Sequence, residues 1–288
     1  MDWHTDNLQQ LAASPCCGYG GGDGPATEPT ALAALALMAA GRPLEARRAT
    51  DWLASLQDAD GAIGVRRNEI TPRWPTSLAV LAWLRAVRES EAGGTYRPSI
   101  GRGSAWILSQ QGETHDRIKA AGHDPSLVAW PWVAGTHSWI EPTSLHVLAL
   151  KAAGFSAHPR VREAVRVLID RQIPGGGCNY GNTTILGQQL RPHIQPTGVA
   201  LLALAGESDR YGRIQQSVRY LRRAVARETP PVSLCWALLG LSAHGQVPLA
   251  AEEWLGAHYQ SVGVLGLSPL KRALLCLAVQ GAETFMSR

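Results

Sequence analysis

Two helical patterns alternate along this chain. In the first, a proline opens a run that is apolar on nearly every side: Glu28-Pro-Thr-Ala-Leu-Ala-Ala-Leu-Ala-Leu, Trp74-Pro-Thr-Ser-Leu-Ala-Val-Leu-Ala-Trp, Glu141-Pro-Thr-Ser-Leu-His-Val-Leu-Ala-Leu and Gln195-Pro-Thr-Gly-Val-Ala-Leu-Leu-Ala-Leu. Weaker copies start at Pro231 and Ser268. Proline suits a helix start, where its missing N–H would have no partner anyway. Several runs stop at glycine (Gly41, Gly154, Gly206), which ends helices readily. The second pattern is one-sided. Val161, Ala164, Val165 and Leu168 follow the i, i+3, i+4, i+7 spacing with charges opposite, as do Ala49, Trp52, Leu53 and Leu56, and again Ile214, Val218, Leu221 and Val225.

A helix that is apolar all round needs neighbours on every side, whereas a one-sided helix needs them on one. Two concentric layers satisfy both, with inner helices between outer helices and a central space. Six such hairpins predict an all-α chain, an (α/α)6 toroid forming a single domain over 1–288, with inner helices starting near 29, 75, 142, 196, 231 and 269. No stretch alternates as a strand does. The loops entering the inner helices then gather at one mouth of the central space. The segment 112–140, with three of the ten Trp and three of the nine His, reads as a lid over it.

Hydrophobic residues make up 45% and charged residues 17%, enough apolar surface for a packed core. The longest apolar run, Ala31 to Ala40, is about half a membrane-spanning helix. The N-terminus lacks the basic-then-apolar order of a secretory signal, so a cytoplasmic protein is expected. The 27 Lys and Arg against 23 Asp and Glu are dispersed, which excludes a nucleic-acid footprint. Five cysteines with no CxxC and no HExxH argue against a disulfide framework and the standard zinc spacings, so no metal and no cofactor are expected. Ten Trp and six Tyr against two Phe is an unusual aromatic balance, and most of it falls in the repeats and the loops before them.

The outer helices end in a further signature. Trp52 to Gln57 leads to Gly61, Trp106 to Gln111 leads to Gly112, Leu168 to Gln172 leads to Gly175, and Trp254 precedes Gln260 and Gly263. This resembles the QW repeat of terpenoid cyclases and protein prenyltransferases, from about Asn7 to Ala282, with Ile63 and Cys178 where two copies would have their final Trp. Gln57, Gln172, Trp52, Trp106 and Trp254 read as structural, with Gln bonding helix ends and Trp packing between hairpins.

In the families resembled, catalytic residues lie at or just before inner-helix starts. Those positions here are Glu28, Trp74, Glu141 and Gln195, with Tyr19, Arg73, Trp130, Trp132, His137, Trp139, Tyr180 and His193 just upstream. Laying Ser138-Trp-Ile-Glu-Pro-Thr-Ser over the acidic DxDD motif of class II cyclases puts Glu141 at the proton donor, with Trp139 and Pro142 in place of the flanking acids. Glu141 is the expected acid or base, His137 its proton partner and Glu28 its counterpart in the first repeat. Tyr19, Trp74, Trp130, Trp132, Trp139, Tyr180, His193 and Gln195 are the expected substrate-binding set, since aromatic faces stabilise developing cations. The alternative for both glutamates is a carboxylate favoured by a helix N-terminus. His146, inside an inner helix, reads as a packed core residue. A zinc site of Cys16, Cys17 and Cys178 with His193 or His137 is the alternative that prenyltransferases and lanthipeptide cyclases suggest; buried, unreactive cysteines are the plainer reading.

The resemblance implies a terpenoid-cyclase-like enzyme acting on a hydrophobic polyene substrate by acid–base cyclisation or isomerisation in a central aromatic cavity. Its partners would be a hydrophobic small molecule and, peripherally, a membrane. The alternatives are a non-catalytic binding protein on the same fold and a zinc-dependent prenyltransferase-like enzyme. A third is a sugar hydrolase or lyase on a six-hairpin barrel, for which Glu28 and Glu141 are the two qualifying carboxylates.

Overall fold

The apolar runs become the most deeply buried helices of the chain. The computed structural model describes all residues except 1, 21, 117–121, 287 and 288, with backbone alone at 91–93 and 262–265. Residues 117–121 of the expected lid therefore lie outside the described residues. In chain order the helices are α1 (Trp3–Ala13), α2 (Thr27–Ala39), α3 (Pro43–Ala54), α4 (Thr76–Glu89), α5 (Arg97–Ser109), α6 (Ile140–Ala152), α7 (Pro159–Asp170), α8 (Ile194–Ala203), α9 (Arg213–Ala224), α10 (Pro231–Ser242), α11 (Ala251–Gly266) and α12 (Pro269–Gln280). Among the described residues the only strands are β1 (Thr184–Ile185) and β2 (Gln188–Gln189), a short hairpin in the loop before α8. The fold is all-α.

Two compact units organise the helices. Met1–Ser109 with Glu252–Arg288 forms one, and Gln110–Ala251 the other. In the first, α2 packs against α3, α4 and α12. It is buried without interruption from Pro29 to Met38, as a helix with no polar face must be. In the second unit α8 packs against α6, α9 and α10.

One recurring hydrogen-bond device explains the Pro-Thr repeat. The threonine hydroxyl after the proline accepts from the main-chain N–H of a residue in the preceding turn: Thr30 from Cys17 (3.1 Å), Thr76 from Ile63 (2.9 Å), Thr143 from Trp130 (3.2 Å) and Thr197 from Cys178 (3.0 Å). Thr30 and Thr143 donate back to the carbonyl of that same residue (3.1 and 3.2 Å), whereas Thr76 and Thr197 donate to the Arg73 and His193 carbonyls (2.7 and 2.6 Å). All four threonines are buried, so each staple satisfies two main-chain groups that water does not reach. The threonine ties the starts of α2, α4, α6 and α8 to the turns before them.

The helices start near the expected positions, with one instructive difference. In α2, α6 and α8 the proline is the third helical residue, not the first. The first four N–H groups of a helix have no intrahelical partner, so proline is accommodated anywhere in that turn. Glu28, Glu141 and Gln195 consequently sit inside the first turn, with their side chains fixed by helix geometry.

The crossing of α8 and α10 depends on two glycines. A Cβ on Gly198 would meet the main-chain carbonyl of Trp236, and one on Gly240 would meet the main chain of Gly198. Backbone touches backbone there, which brings the starts of α8 and α10 into one neighbourhood. Gln57 and Gln172 take the structural role expected of them. Gln57 Nε2 donates to the Gly61 and Ser99 carbonyls, while Gln172 donates to Leu168 and accepts from Ser217.

Candidate functional site

Within the second unit, three inner-helix starts put Glu141 (α6), Gln195 (α8) and Ser233 (α10) into one hydrogen-bonded line. Gln195 Nε2 donates to Glu141 Oε1 at 2.8 Å, and the Ser233 hydroxyl donates to Gln195 Oε1 at a long 3.5 Å. The half-buried Glu141 carboxyl is held above its ordinary range by burial, opposed by the Gln195 hydrogen bond. No charged neighbour contributes to that shift.

The turn Cys178–Gly181 is clamped between α6 and α8, and it carries Tyr180 to the same place. Thr197 holds Cys178, the Ile140 N–H donates to the Tyr180 carbonyl (2.8 Å), and Arg171 Nη1 donates to the Gly181 carbonyl (2.7 Å). The His193 N–H closes the loop on the Cys178 carbonyl at 2.9 Å. The Tyr180 and His193 rings lie 5.2 Å apart, both exposed. Burial and the nearby Glu141 carboxylate raise the Tyr180 phenol. Beside them opens a cleft of about 320 Å³ lined in part by Tyr180, His193, Gln195, Tyr220, Thr229 and Ser233. Tyr220 and Ser233 were not among the sequence-derived candidates, although Ser233 lies in the first turn of the fifth Pro-led copy.

The other sequence-derived residues are placed differently. Trp130 is fully buried, its ring stacked on His146 at 5.4 Å with the Arg160 guanidinium 5.1 Å from its centre. His146 shares a 2.6 Å hydrogen bond with the Pro142 carbonyl, and burial pushes it down to about 4: a neutral core histidine. His137 packs against Trp139 (4.5 Å between centroids) and is lowered by burial, then by Arg171 and His115; its buried Nε2 has no hydrogen-bond partner. Glu141 is thus partnered by Gln195, where His137 was expected. Trp139 stacks beside Gly181, whose added Cβ would lie 3.1 Å from the indole. Trp132 is half-buried.

Glu28, Tyr19 and Trp74 belong to the first unit. The Tyr19 phenol is raised by burial and then by Glu28, to which it donates a hydrogen bond; the Arg66 guanidinium lies 5.7 Å from the Tyr19 ring centre. Cys17 and Cys178 are buried thiols pushed up to about 12, and the Cys16 thiol donates to the Arg48 carbonyl. Among the described residues no group of three or more His, Cys, Asp or Glu could hold a metal ion, and no helix is long and apolar enough to cross a membrane.

No protein family and no curated protein matches the sequence. Solved structures do resemble the fold. An alpha-amylase from Clostridium perfringens matches at TM-score 0.66 and 12% identity, over 96% of this chain and 98% of that one. A variant alpha-1,6-mannanase of Salegentibacter sp. HEL1_6, inactive through replacement of two adjacent aspartates by asparagine and bound to alpha-1,6-mannotriose, matches at TM-score 0.62 and 12% identity, over 98% and 99%. A protein from Actinoplanes matches at TM-score 0.57 and 15% identity, over 98% and 99%. At such identities the likeness shows the fold alone: this is an α/α toroid-type chain.

These structures correct the functional expectation drawn from the QW-like spacing. The two neighbours above that are named for an activity are an amylase and a mannanase, not terpenoid cyclases or prenyltransferases, and the ligand bound to the mannanase is an oligosaccharide, not a hydrophobic polyene. The physical reason lies in the repeat itself. Gln57, Gln172 and the stapling threonines tie helix ends and turns together, so their spacing marks the α/α hairpin and carries no information about the reaction.

Proposed function

We propose that the chain is a carbohydrate-active protein of glycoside hydrolase type, with the Glu141 cleft as its sugar site and Glu141 as the group that transfers a proton. One observation carries this reading: a carboxyl raised by burial, held by a single amide, stands one hydrogen bond from a cleft walled by aromatic rings and neutral polar groups. Glycoside cleavage needs an acid that protonates the leaving oxygen, and burial that raises a carboxyl favours its protonated form. Exposed rings such as Tyr180 offer apolar faces to a sugar ring, while Ser233, Thr229 and Gln195 meet its hydroxyls. The fold likeness to an amylase and a mannanase supports the same substrate class.

A second reading, sugar binding without turnover, is favoured by a specific observation. Burial and Gln195 alone set the Glu141 shift, so no second carboxylate acts on it, whereas glycoside hydrolysis ordinarily uses a pair. The sequence also has no two adjacent aspartates like those replaced in the inactive mannanase. Incubation with alpha-1,6-mannotriose and maltotriose, with products separated by chromatography and binding followed by calorimetry, decides between the two. Cleavage that Glu141→Gln abolishes is the expected result. Binding without cleavage selects the second reading, and neither binding nor cleavage removes both.

A further inference from the structure

No Lys, Arg, Asp or Glu is among the residues lining the cleft beside Glu141. The hydrogen bonds around it also run in one direction. Glu141 Oε1 accepts from Gln195 Nε2 at 2.8 Å, and the Gln195 Oε1 turns to Ser233. The Ser233 hydroxyl donates to that oxygen, and the Tyr220 hydroxyl donates to the Pro192 carbonyl at 3.0 Å. Their oxygens keep lone pairs with which to accept from a ligand's hydroxyls. No Lys or Arg lines the cleft to offset a ligand's negative charge, and the Glu141 carboxyl lies one hydrogen bond behind Gln195. Recognition of acidic groups ordinarily relies on Arg or Lys.

We propose that the cleft selects uncharged sugars over acidic ones, with Ser233 and Tyr220 as acceptors for the ligand's hydroxyls. This rests on the carbohydrate reading given above. It adds a substrate class, since neutral hexose chains fit and uronic acids or phosphorylated sugars do not. The geometry also makes Ser233 a specificity-determining residue, because it links the ligand to the Gln195–Glu141 pair.

Calorimetric titration of the full chain at neutral pH with mannotriose, maltotriose and trigalacturonate tests this, using wild type, Ser233→Ala and Tyr220→Phe. The expected result is binding of at least one neutral trisaccharide and about tenfold or weaker binding of trigalacturonate. Each single variant should weaken the neutral ligand roughly 2- to 10-fold, the range for one hydrogen bond lost. Circular dichroism of both variants should match wild type, and Ser233→Ala serves as the decisive variant if Tyr220→Phe does not fold. Trigalacturonate binding as tightly as the neutral sugars, or Ser233→Ala and a folded Tyr220→Phe both leaving affinity unchanged, would overturn the selectivity while the carbohydrate reading stands. Failure of all three sugars to bind wild type would remove that reading and the selectivity together.

Discussion

Glu28 and Glu141 open helices in different units with the same three residues, Glu-Pro-Thr, and with the same threonine staple two residues later. Their surroundings differ. Glu28 is met by the Tyr19 phenol, and Arg66, itself paired with Glu69 at 3.1 Å, stands over that ring. Glu141 is met by the Gln195 amide, and its carboxyl is pushed up by burial. The partner comes from the next inner helix. On α8 the residue two before the stapling threonine is Gln195; just before α4 the corresponding residue is Trp74, which carries an indole instead of an amide. Identical local sequence thus builds two chemically different helix starts, because residues outside it decide what the carboxyl meets: the turn before α2 brings Tyr19 to Glu28, and α8 brings Gln195 to Glu141.

The largest effect that separates the two units is on turnover. Glu141→Gln is expected to lower sugar cleavage by about 10²–10⁴-fold, the usual contribution of a general acid or base, while Glu28→Gln changes it less than about threefold. Equal losses in both variants, measured on one substrate under one set of conditions, would erase the distinction.

A second difference is structural. Gly198→Ala forces a Cβ into the Trp236 carbonyl at the α8–α10 crossing, and main chain cannot swing aside as a side chain can. Overpacking of this kind costs roughly 1–3 kcal/mol or more. Urea unfolding should show that loss, and sugar binding should weaken with it because Gln195 and Ser233 lie at the starts of these two helices. Unchanged unfolding would mean the helices can separate without cost.

The staples should behave alike in the two units. Thr30→Val and Thr143→Val keep the side-chain shape, but each leaves a buried N–H and carbonyl without the hydroxyl, of Cys17 and Trp130 respectively. Each change is expected to cost about 1–3 kcal/mol, measured by the same unfolding assay. A loss in one unit and none in the other would show that the repeat device is not shared.

The smallest effect is on pH dependence. Glu141 is raised in the folded chain, so folding favours its protonated form. That contribution is fully present below the ordinary carboxyl range and is lost as pH rises through the raised value. Glu141→Gln should therefore gain stability relative to wild type near neutral pH and lose that gain in acid, read as the difference in melting temperature at the two pH values. A constant difference would place the Glu141 carboxyl in an ordinary, solvated environment.

Much of the fold was legible because its signals are local. Proline needs a place without an N–H partner, and glycine ends a helix, so the starts of α10 and α12 and the stops at Gly41, Gly154 and Gly206 follow from single residues. The importance of Glu141 was legible too, as a carboxyl in the first turn of an inner helix. Its partner was not. Gln195 is 54 residues away, and nothing in either segment specifies that the two first turns meet. Ser233 and Tyr220 escaped for the same reason. Trp130 has the same signature as Trp132 and Trp139 on paper, yet the Thr143 staple draws it into the interior beside His146. The reading of a polyene substrate rested on a spacing that the hairpin needs for its own closure, which is why it described architecture and not chemistry.

A sugar seated in the cleft of the second unit would perturb the main chain around it. Amide shift mapping by nuclear magnetic resonance, on the full chain titrated with alpha-1,6-mannotriose or maltotriose, should therefore show saturable shifts at Tyr180, His193, Gln195 and Ser233. Shifts confined to Tyr19, Glu28 and Trp74, with the second unit silent, would contradict that placement.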